Sequence, residues 1–273
     1  MGILYLVATP IGNLEDVTLR ALRVLSQVGL IAAEDTRHTR KLLAHYQIPA
    51  RLVSYHEHNK LARLDTVLEA LAQGDVALVS DAGMPGLSDP GYELVRAALE
   101  AGYAVSPIPG ASAPTAALVA SGLATDAFVF LGYLPRRPRE RRQTIEALAA
   151  ERKTVVAFEA PHRLAESLAD LESILGPQRP IAVCREMTKL HEEIVRGTVT
   201  EVRRQFDVRP PRGEITLVIG GAAPSGRWGE ADVRAALAEK RAAGLSRSVA
   251  ARQVAAVSGW ERRQVYRLAG EAG

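Results

Sequence analysis

One loop carries the residue types best suited to binding a ligand. It follows the apolar run VALVS of residues 76–80 and reads DAGMPGLSDPG over residues 81–91. Connections in α/β units usually take about 2 to 6 residues, and this one is longer. Its glycines leave the main chain bare, its two prolines make it rigid, and Asp81 supplies a hydrogen-bond acceptor. At the carboxyl end of a strand such a loop predicts a ligand site, although a purely structural loop would share this composition.

Two other predicted strands end in similar loops. The first runs into ATPIGN at residues 8–13, and a later one runs into PGASA at residues 109–113. Neither contains the G-x-G-x-x-G fingerprint or the G-x-x-x-x-G-K-[ST] phosphate loop, which argues against a nicotinamide or P-loop enzyme. The small residues after Gly110 allow close approach of a ligand, or equally of another helix. Ser112 also suits a helix N-cap, and a tight turn is the better explanation of the first loop taken alone.

Two polar segments offer candidates for acid–base chemistry. AEDTRHTRKLL, residues 33–43, contains Asp35, and VCREMTKLHEE, residues 183–193, contains Glu186 and Lys189. Each follows a predicted strand, where ligands of open α/β sheets bind. A helix cap at Asp35 and a solvated charge run in the second segment explain them equally well.

Histidine and cysteine offer little for metal or covalent catalysis. The one H-x-H, at residues 56–58, has no second ligand cluster, so we predict no metal site. The nucleophile elbow G-x-S-x-G is absent. The single cysteine, Cys184, cannot form an internal disulfide, which favours a reducing compartment. With no signal-peptide pattern and no apolar run near a membrane span, we expect a cytoplasmic protein that does not enter a membrane.

The basic residues are unevenly distributed along the 273-residue chain, whose net charge is +3. Residues 225–273 carry 9 Lys and Arg against 5 Asp and Glu, and a second cluster reads RRPRERR at residues 136–142. Two such features indicate a polyanionic partner such as RNA. A solvated helix start and a soluble tail would give the same pattern.

Short β-rich runs alternate with amphipathic segments, which predicts two α/β domains and a helical tail. In the first domain, residues 1–118, we predict strands at 3–8, 30–33, 52–54, 76–80 and 103–107 and helices at 18–27, 36–45, 59–72 and 92–101, then one after Gly110. In the second, residues 119–222, we predict strands at 128–131, 154–158, 181–184, 193–196 and 215–219 and helices at 139–150, 163–175 and 200–206. Residues 220–226 read as a linker. The tail, residues 228–273, has helices at 230–243, 248–257 and 261–269, the last two with helix-turn-helix spacing.

Seven segments together resemble a known family over residues 3–222. They are LYLVATPIGNLEDVT, AEDTRHTRKLL, VSDAGMPGLSDPG, PIPGASA, FLGYLP, FEAPHR and CREMTKLHEE. They are similar to the bacterial small-subunit (16S) ribosomal RNA cytidine-2′-O-methyltransferases, which belong to the tetrapyrrole-methylase (class III) superfamily of S-adenosylmethionine enzymes. The helical tail also resembles that family's C-terminal module. The first turn reads TPIGN, whereas tetrapyrrole methylases often have G-x-G-P-G there.

The resemblance implies two α/β domains of the tetrapyrrole-methylase type, with S-adenosylmethionine bound folded in the cleft between them, and a homodimer. Carried onto this chain, the donor contacts would be Pro10, Asp81, Gly83, Met84, Pro85, Ser88, Ala111, Ser112, Phe158, Glu159, Ala160, Ile215 and Thr216. The substrate would be a decoding-centre cytidine in the assembled small subunit.

For the methyl transfer we expect a positioned base from among Glu186, Asp35 and Lys189, with Lys189 needing burial or a cationic neighbour to lose its proton. We expect ribosomal RNA to bind arginine side chains, namely Arg37, Arg136, Arg137, Arg185, Arg262, Arg263 and Arg267. Two alternatives remain open: a methyltransferase of the same fold acting on a tetrapyrrole-like small molecule, and a nucleic-acid-binding module without catalysis.

Overall fold

The computed structural model describes residues 2–209, 211–223 and 228–271. The chain forms two five-stranded sheets with helices packed on them, followed by three helices. The predicted α/β class with a small all-α C-terminal module is therefore confirmed. Within the described residues, no helix is long and apolar enough to cross a membrane, and no group of three potential metal ligands occurs.

The first sheet is entirely parallel, with strand order β3-β2-β4-β1-β5. Its elements are β1 (Ile3–Val7), α1 (Leu19–Gln27), β2 (Leu30–Ala33), α2 (Thr36–His45), β3 (Leu52–Ser54), α3 (Lys60–Gln73), β4 (Val76–Val79), α4 (Tyr92–Glu100) and β5 (Ala104–Ile108). Helices cover both faces, which is why β2 and β4 are continuous apolar runs that are buried throughout. Because all five strands run the same way, their carboxyl ends meet at one edge.

The second sheet is mixed, with strand order β6-β7-β10-β8-β9. Its elements are β6 (Phe128–Tyr133), α6 (Pro138–Ala147), β7 (Thr154–Glu159), α7 (Leu164–Leu175), β8 (Pro180–Arg185), β9 (Glu193–Thr198), α8 (Val199–Val208) and β10 (Ile215–Ile219). Strand β10 is antiparallel to both of its neighbours. Its first residue, Ile215, therefore lies beside the last residues of those neighbours, Glu159 and Arg185.

Helix α5 (Ala113–Ala120) joins the two sheets. It follows the first sheet in the chain but packs on β7 and β10 of the second. Its buried Leu118 belongs to one apolar cluster with Ile11 of the first turn and Val156 and Val218 of the second sheet. Truncating a buried leucine to alanine costs about 2–5 kcal/mol, so this cluster firmly fixes one sheet against the other.

The tail comprises α9 (Glu230–Ala242), α10 (Arg247–Ser258) and α11 (Arg262–Glu271), which share a small apolar core of their own. Gly259 ends α10 in the left-handed conformation, with φ 70°, where glycine is favoured because it has no Cβ. Arg152, just before β7, donates from Nη1 to the Ala256 carbonyl at 2.8 Å. The predicted linker is described only up to residue 223, and its residues 224–226 lie outside the described ranges.

The helices and strands that we predicted are all present, and their ends differ from the prediction by at most three residues. Two single-turn 3-10 helices, Leu14–Asp16 and Pro161–Arg163, were missed. Both are too short to show a hydrophobic period, so the amphipathic pattern that located the longer helices gives no signal for them.

Candidate active site

A cavity of about 310 Å3 opens where the loops at the carboxyl ends of β4 and β7 meet the start of β10 and the start of α5. We call it the central cavity. Ten of the predicted donor contacts line it, namely Asp81, Gly83, Met84, Ser88, Ser112, Phe158, Glu159, Ala160, Ile215 and Thr216. Pro10 lies in a neighbouring groove, and Pro85 and Ala111 lie outside both linings. The start of β10 can line the cavity only because that strand runs antiparallel to β7.

The loop after β4 is held in one conformation by the loop after β1. Thr9 donates from its main-chain nitrogen to the Gly83 carbonyl at 2.9 Å, and Gly83 returns a bond to the Thr9 carbonyl at 3.0 Å. Gly83 and Gly86 adopt left-handed φ values of 80° and 85°, which side chains rarely allow. The bare, glycine-rich main chain is therefore a rigid wall of the cavity rather than a spacer.

Three carboxyl groups form an acidic wall in the central cavity: Glu34, Asp81 and Asp89. Asp81 accepts from the main-chain nitrogen of Asp35 at 3.0 Å and donates its own nitrogen to Glu34 Oε2 at 3.2 Å. Burial and the nearby Glu34 charge raise the pKa of Asp89 to about 7. Burial also raises the pKa of Glu34, against the opposing hydrogen bond from Asp81. The wall therefore favours a positively charged ligand.

Asp89 was missed in the sequence analysis, although it lies in the loop singled out there. The sequence contains a signal for Asp89, because it is a second aspartate that follows Asp81 within one glycine-rich loop. Because the loop folds back on itself, the two carboxyl groups reach the same cavity.

Another part of the lining is aromatic. Phe158 packs edge-on against Phe130, with ring centroids 5.2 Å apart, and lies tilted against Tyr133, with ring centroids 5.3 Å apart. Next to it, the carboxylate of Glu159 is completely buried. It accepts from Arg163 at 2.6 Å, from the Ala160 nitrogen at 2.7 Å and from the Ser167 hydroxyl. Glu159 therefore borders the cavity with its main chain, and its side chain holds the loop.

A second opening of about 370 Å3, the side groove, adjoins the central cavity and shares Ile11, Asp81, Ala82 and Glu214 with it. Lys189 lies in this groove, with Nζ 2.8 Å from Glu186 Oε1 and 2.9 Å from Glu214 Oε2. Burial lowers the pKa of Lys189, but the bonds to these two carboxylates outweigh burial and the pKa is raised. Lys189 therefore holds its proton, the opposite of what a general base requires.

The other two predicted bases are also engaged. Burial raises the pKa of Glu186, but bonds from Lys189 and from the Glu214 nitrogen outweigh it and the pKa is lowered. Asp35 caps α2 through the Arg37 nitrogen at 2.7 Å and pairs with its guanidinium, which holds the pKa of Asp35 well below its usual range. Both carboxylates are ionised and only weakly basic.

The predicted RNA-binding arginines do not form one surface. Arg262, Arg263 and Arg267 are exposed on α11 of the tail, Arg37 is exposed beside Asp35, and Arg185 pairs with Glu193 at 3.0 Å. The cluster at residues 136–142 divides in two. Arg136 and Arg137 are exposed, whereas Arg141 is 3% exposed and pairs with Asp170 at 2.8 Å. Arg141 therefore ties α6 to α7 and does not face a partner, whereas RNA binding by Arg136 and Arg137 stays a prediction.

The chain is similar to a known protein family and to named proteins of several bacteria. The family of Tetrapyrrole (Corrin/Porphyrin) Methylases matches residues 3–203. A protein of Synechocystis named Ribosomal RNA small subunit methyltransferase I is 52% identical over 98% of this chain and 97% of its own length. One of the same name from Thermotoga maritima is 47% identical over 81% of this chain and 99% of its own length. About a fifth of this chain thus has no counterpart in it.

Among solved structures, a uroporphyrin-III C-methyltransferase from Thermus thermophilus complexed with S-adenosyl homocysteine superposes with a TM-score of 0.56. It is 21% identical and covers 80% of this chain and 97% of its own. At that identity the similarity shows the fold alone.

Proposed function

The chain belongs to the tetrapyrrole methylase family and, within it, to the small-subunit ribosomal RNA methyltransferases I, and we propose that it methylates a cytidine 2′-oxygen of 16S ribosomal RNA. S-adenosylmethionine is the methyl donor, and the assembled small subunit is the substrate, at the decoding centre. We also propose that the protein is a homodimer and acts in the cytoplasm.

The observation that carries this function is the central cavity. Its volume of about 310 Å3 suits a small molecule. Phe158 and Tyr133 offer ring faces for an adenine, and the loop from Asp81 to Ser88 offers main-chain groups. The acidic wall suits a donor whose sulfonium and ammonium groups are both cationic. A nucleotide phosphate would be repelled by the same wall.

The donor supplies an electrophilic methyl group, so the protein has mainly to align the two reactants. Alignment of this kind lowers a barrier by up to about 7–11 kcal/mol. The acceptor ribose enters the side groove, which adjoins the central cavity at Asp81 and Glu214. Lys189 donates hydrogen bonds there and orients the nucleotide. The bond between the methyl carbon and the sulfur breaks as the bond between that carbon and the ribose 2′-oxygen forms.

The proton of the 2′-hydroxyl leaves to a carboxylate or to water. Lys189 holds a proton already, and Asp35 and Glu186 are weakened as bases by their ion pairs. A positioned base contributes about 10²–10⁴-fold, and an ion-paired carboxylate supplies less of that. Alignment therefore carries the larger share of catalysis.

The test is methylation of small subunits purified from a strain that lacks this protein, followed by nucleoside mass spectrometry. We expect one 2′-O-methylcytidine per subunit, and none without S-adenosylmethionine. Methylation on a base, or transfer only to a tetrapyrrole, would overturn the proposal.

A further inference from the structure

A third opening, of about 510 Å3, lies on the other side of the Gly213–Glu214 segment from the central cavity. We call it the arginine groove. It is formed by the β8–β9 connection, the end of α8 and the segment that leads into β10. Its charged lining is Arg185, Glu186, His191, Glu193, Arg209 and Arg212. Gly213 lines both the groove and the central cavity.

The groove carries more positive charge than its own carboxylates neutralise. Glu193 is shared between two arginines, at 3.0 Å from Arg185 and 3.8 Å from Arg209. The Glu186 carboxylate points elsewhere, because it accepts from Lys189 and from the Glu214 nitrogen.

Arg212 is exposed, and its guanidinium has no ion-pair or hydrogen-bond partner within residues 2–209, 211–223 and 228–271. His191 adds a further exposed donor. An open groove with surplus arginines suits an anion that presents paired oxygens.

Strand register fixes the distance from the groove to the donor. Glu159, Ile215 and Arg185 lie side by side on β7, β10 and β8. Neighbouring strands are about 4.8 Å apart, so Glu159 at the central cavity and Arg185 in the groove are about 10 Å apart across β10. A nucleotide whose ribose lies beside the donor has its neighbouring phosphates within that reach.

We propose that the arginine groove binds phosphodiester groups of the substrate RNA next to the methylated nucleotide, through Arg209 and Arg212 with Arg185. This inference rests on the proposed function, in that the substrate is RNA, and it adds the site that holds its backbone. Arg209 and Arg212 were not among the arginines predicted from the sequence. The groove, and not only the tail, then positions the acceptor strand.

The test is a double variant, R209Q/R212Q, in full-length protein assayed on small subunits that lack the modification. We expect the KM for subunits to rise at least about tenfold. The slope of log KM against log salt should fall by about 0.7 for each phosphate that the variant no longer neutralises. The affinity for S-adenosylmethionine, measured by calorimetry, should not change. The matched control, R20Q/R23Q, removes the same charge from the exposed face of α1.

Equal KM and salt slope in the variant and the control would overturn the inference while leaving the methyltransferase intact. Failure of the wild-type protein to methylate RNA would instead overturn the proposed function. The single variant R212Q guards against misfolding, because within the described residues this guanidinium has no partner to lose. It should show about half of the change in salt slope.

Discussion

The central cavity and the arginine groove lie at the same end of the strands of the second sheet, yet their charges are opposite in sign. The cavity gathers Glu34, Asp81 and Asp89, whereas the groove gathers Arg185, Arg209 and Arg212. They are separated by little more than the first residue of β10. The mixed sheet thus places an acidic and a basic region within two strand spacings, as the proposed cationic donor and anionic RNA require.

The two regions also differ in their contact with water. The acidic wall is partly buried, so salt screens it weakly, and Asp89, whose pKa is raised to about 7, changes its charge near neutral pH. The groove is open to solvent, so salt screens the charges of its arginines. Donor binding should therefore depend on pH, and RNA binding should depend on ionic strength. The following variants test that separation.

The largest effect is expected from K189A. This change removes the ammonium that joins Glu186 to Glu214 at the border of the two grooves and the cavity. It leaves two carboxylates unpaired where the acceptor must lie, so we expect kcat to fall by about 10²-fold or more. The fall in rate is measured by single-turnover methylation.

K189R serves as the matched control, because it restores a positive charge. It should recover part of the rate. A normal kcat in K189A would show that Lys189 is not part of the active site.

D89N should lower the affinity for S-adenosylmethionine by about tenfold at a pH above 7. The pKa of Asp89 is raised to about 7, so the group is neutral below that pH and anionic above it. Wild-type affinity should therefore rise between about pH 6 and about pH 8, and most of this rise should vanish in the variant. Calorimetry over that pH range measures the affinity of the wild type and of the variant. A smaller pH dependence should remain in D89N because Glu34 is still present.

S-adenosyl homocysteine provides the control ligand, since it lacks the sulfonium charge. Its affinity should change less with pH and with D89N. Stability gives a second check. A carboxyl with a raised folded-state pKa destabilises the fold progressively as pH rises from its unfolded-state pKa to the folded-state value, so ligand-free D89N should melt at a higher temperature than wild type above pH 7. Equal loss for both ligands would contradict a charge-based role.

G213A should produce a smaller loss, of less than about tenfold. Gly213 has φ 85°, and an added Cβ would overlap the Glu186 carboxyl group. Displacing Glu186 weakens its bond to Lys189 and disturbs the wall shared by the cavity and the groove. Both the donor affinity and the KM for subunits should therefore change. A change in only one of them would show that the two regions are independent at this point.

The smallest effect is expected from cutting the chain after Gly221, which removes the tail. Arg262, Arg263 and Arg267 are exposed on it, so RNA binding should weaken while donor binding is spared. A methyltransferase I from Thermotoga maritima is matched over 99% of its length by 81% of this chain, so the loss should stay within about threefold. A total loss of methylation would shift the main RNA contact from the groove to the tail.

The fold followed from the sequence because its signals are local. The apolar runs of β2 and β4 and the amphipathic helices between them each occupy one short window. The loop at Asp81 was located for the same reason, since its glycines and prolines are contiguous.

What sequence reasoning missed depends on contacts between distant segments. Arg141 is buried only because Asp170 meets it from another helix, 29 residues away. The charge of the arginine groove depends on β8, β9 and the segment before β10 lying together, and antiparallel placement of β10 has no local signature. Lys189 was expected to need burial or a cationic neighbour to act as a base, and the fold places two carboxylates beside it instead.

The position of β10 has a consequence for how the chain folds during synthesis. The last strand to leave the ribosome is the middle strand of its sheet, inserted between two pairs formed earlier. A nascent chain that ends before Ile215 presents two open edges and an incomplete binding pocket, which makes it prone to aggregation. A translating ribosome therefore carries a chain whose binding pocket stays incomplete until the last strand of the two sheets has emerged.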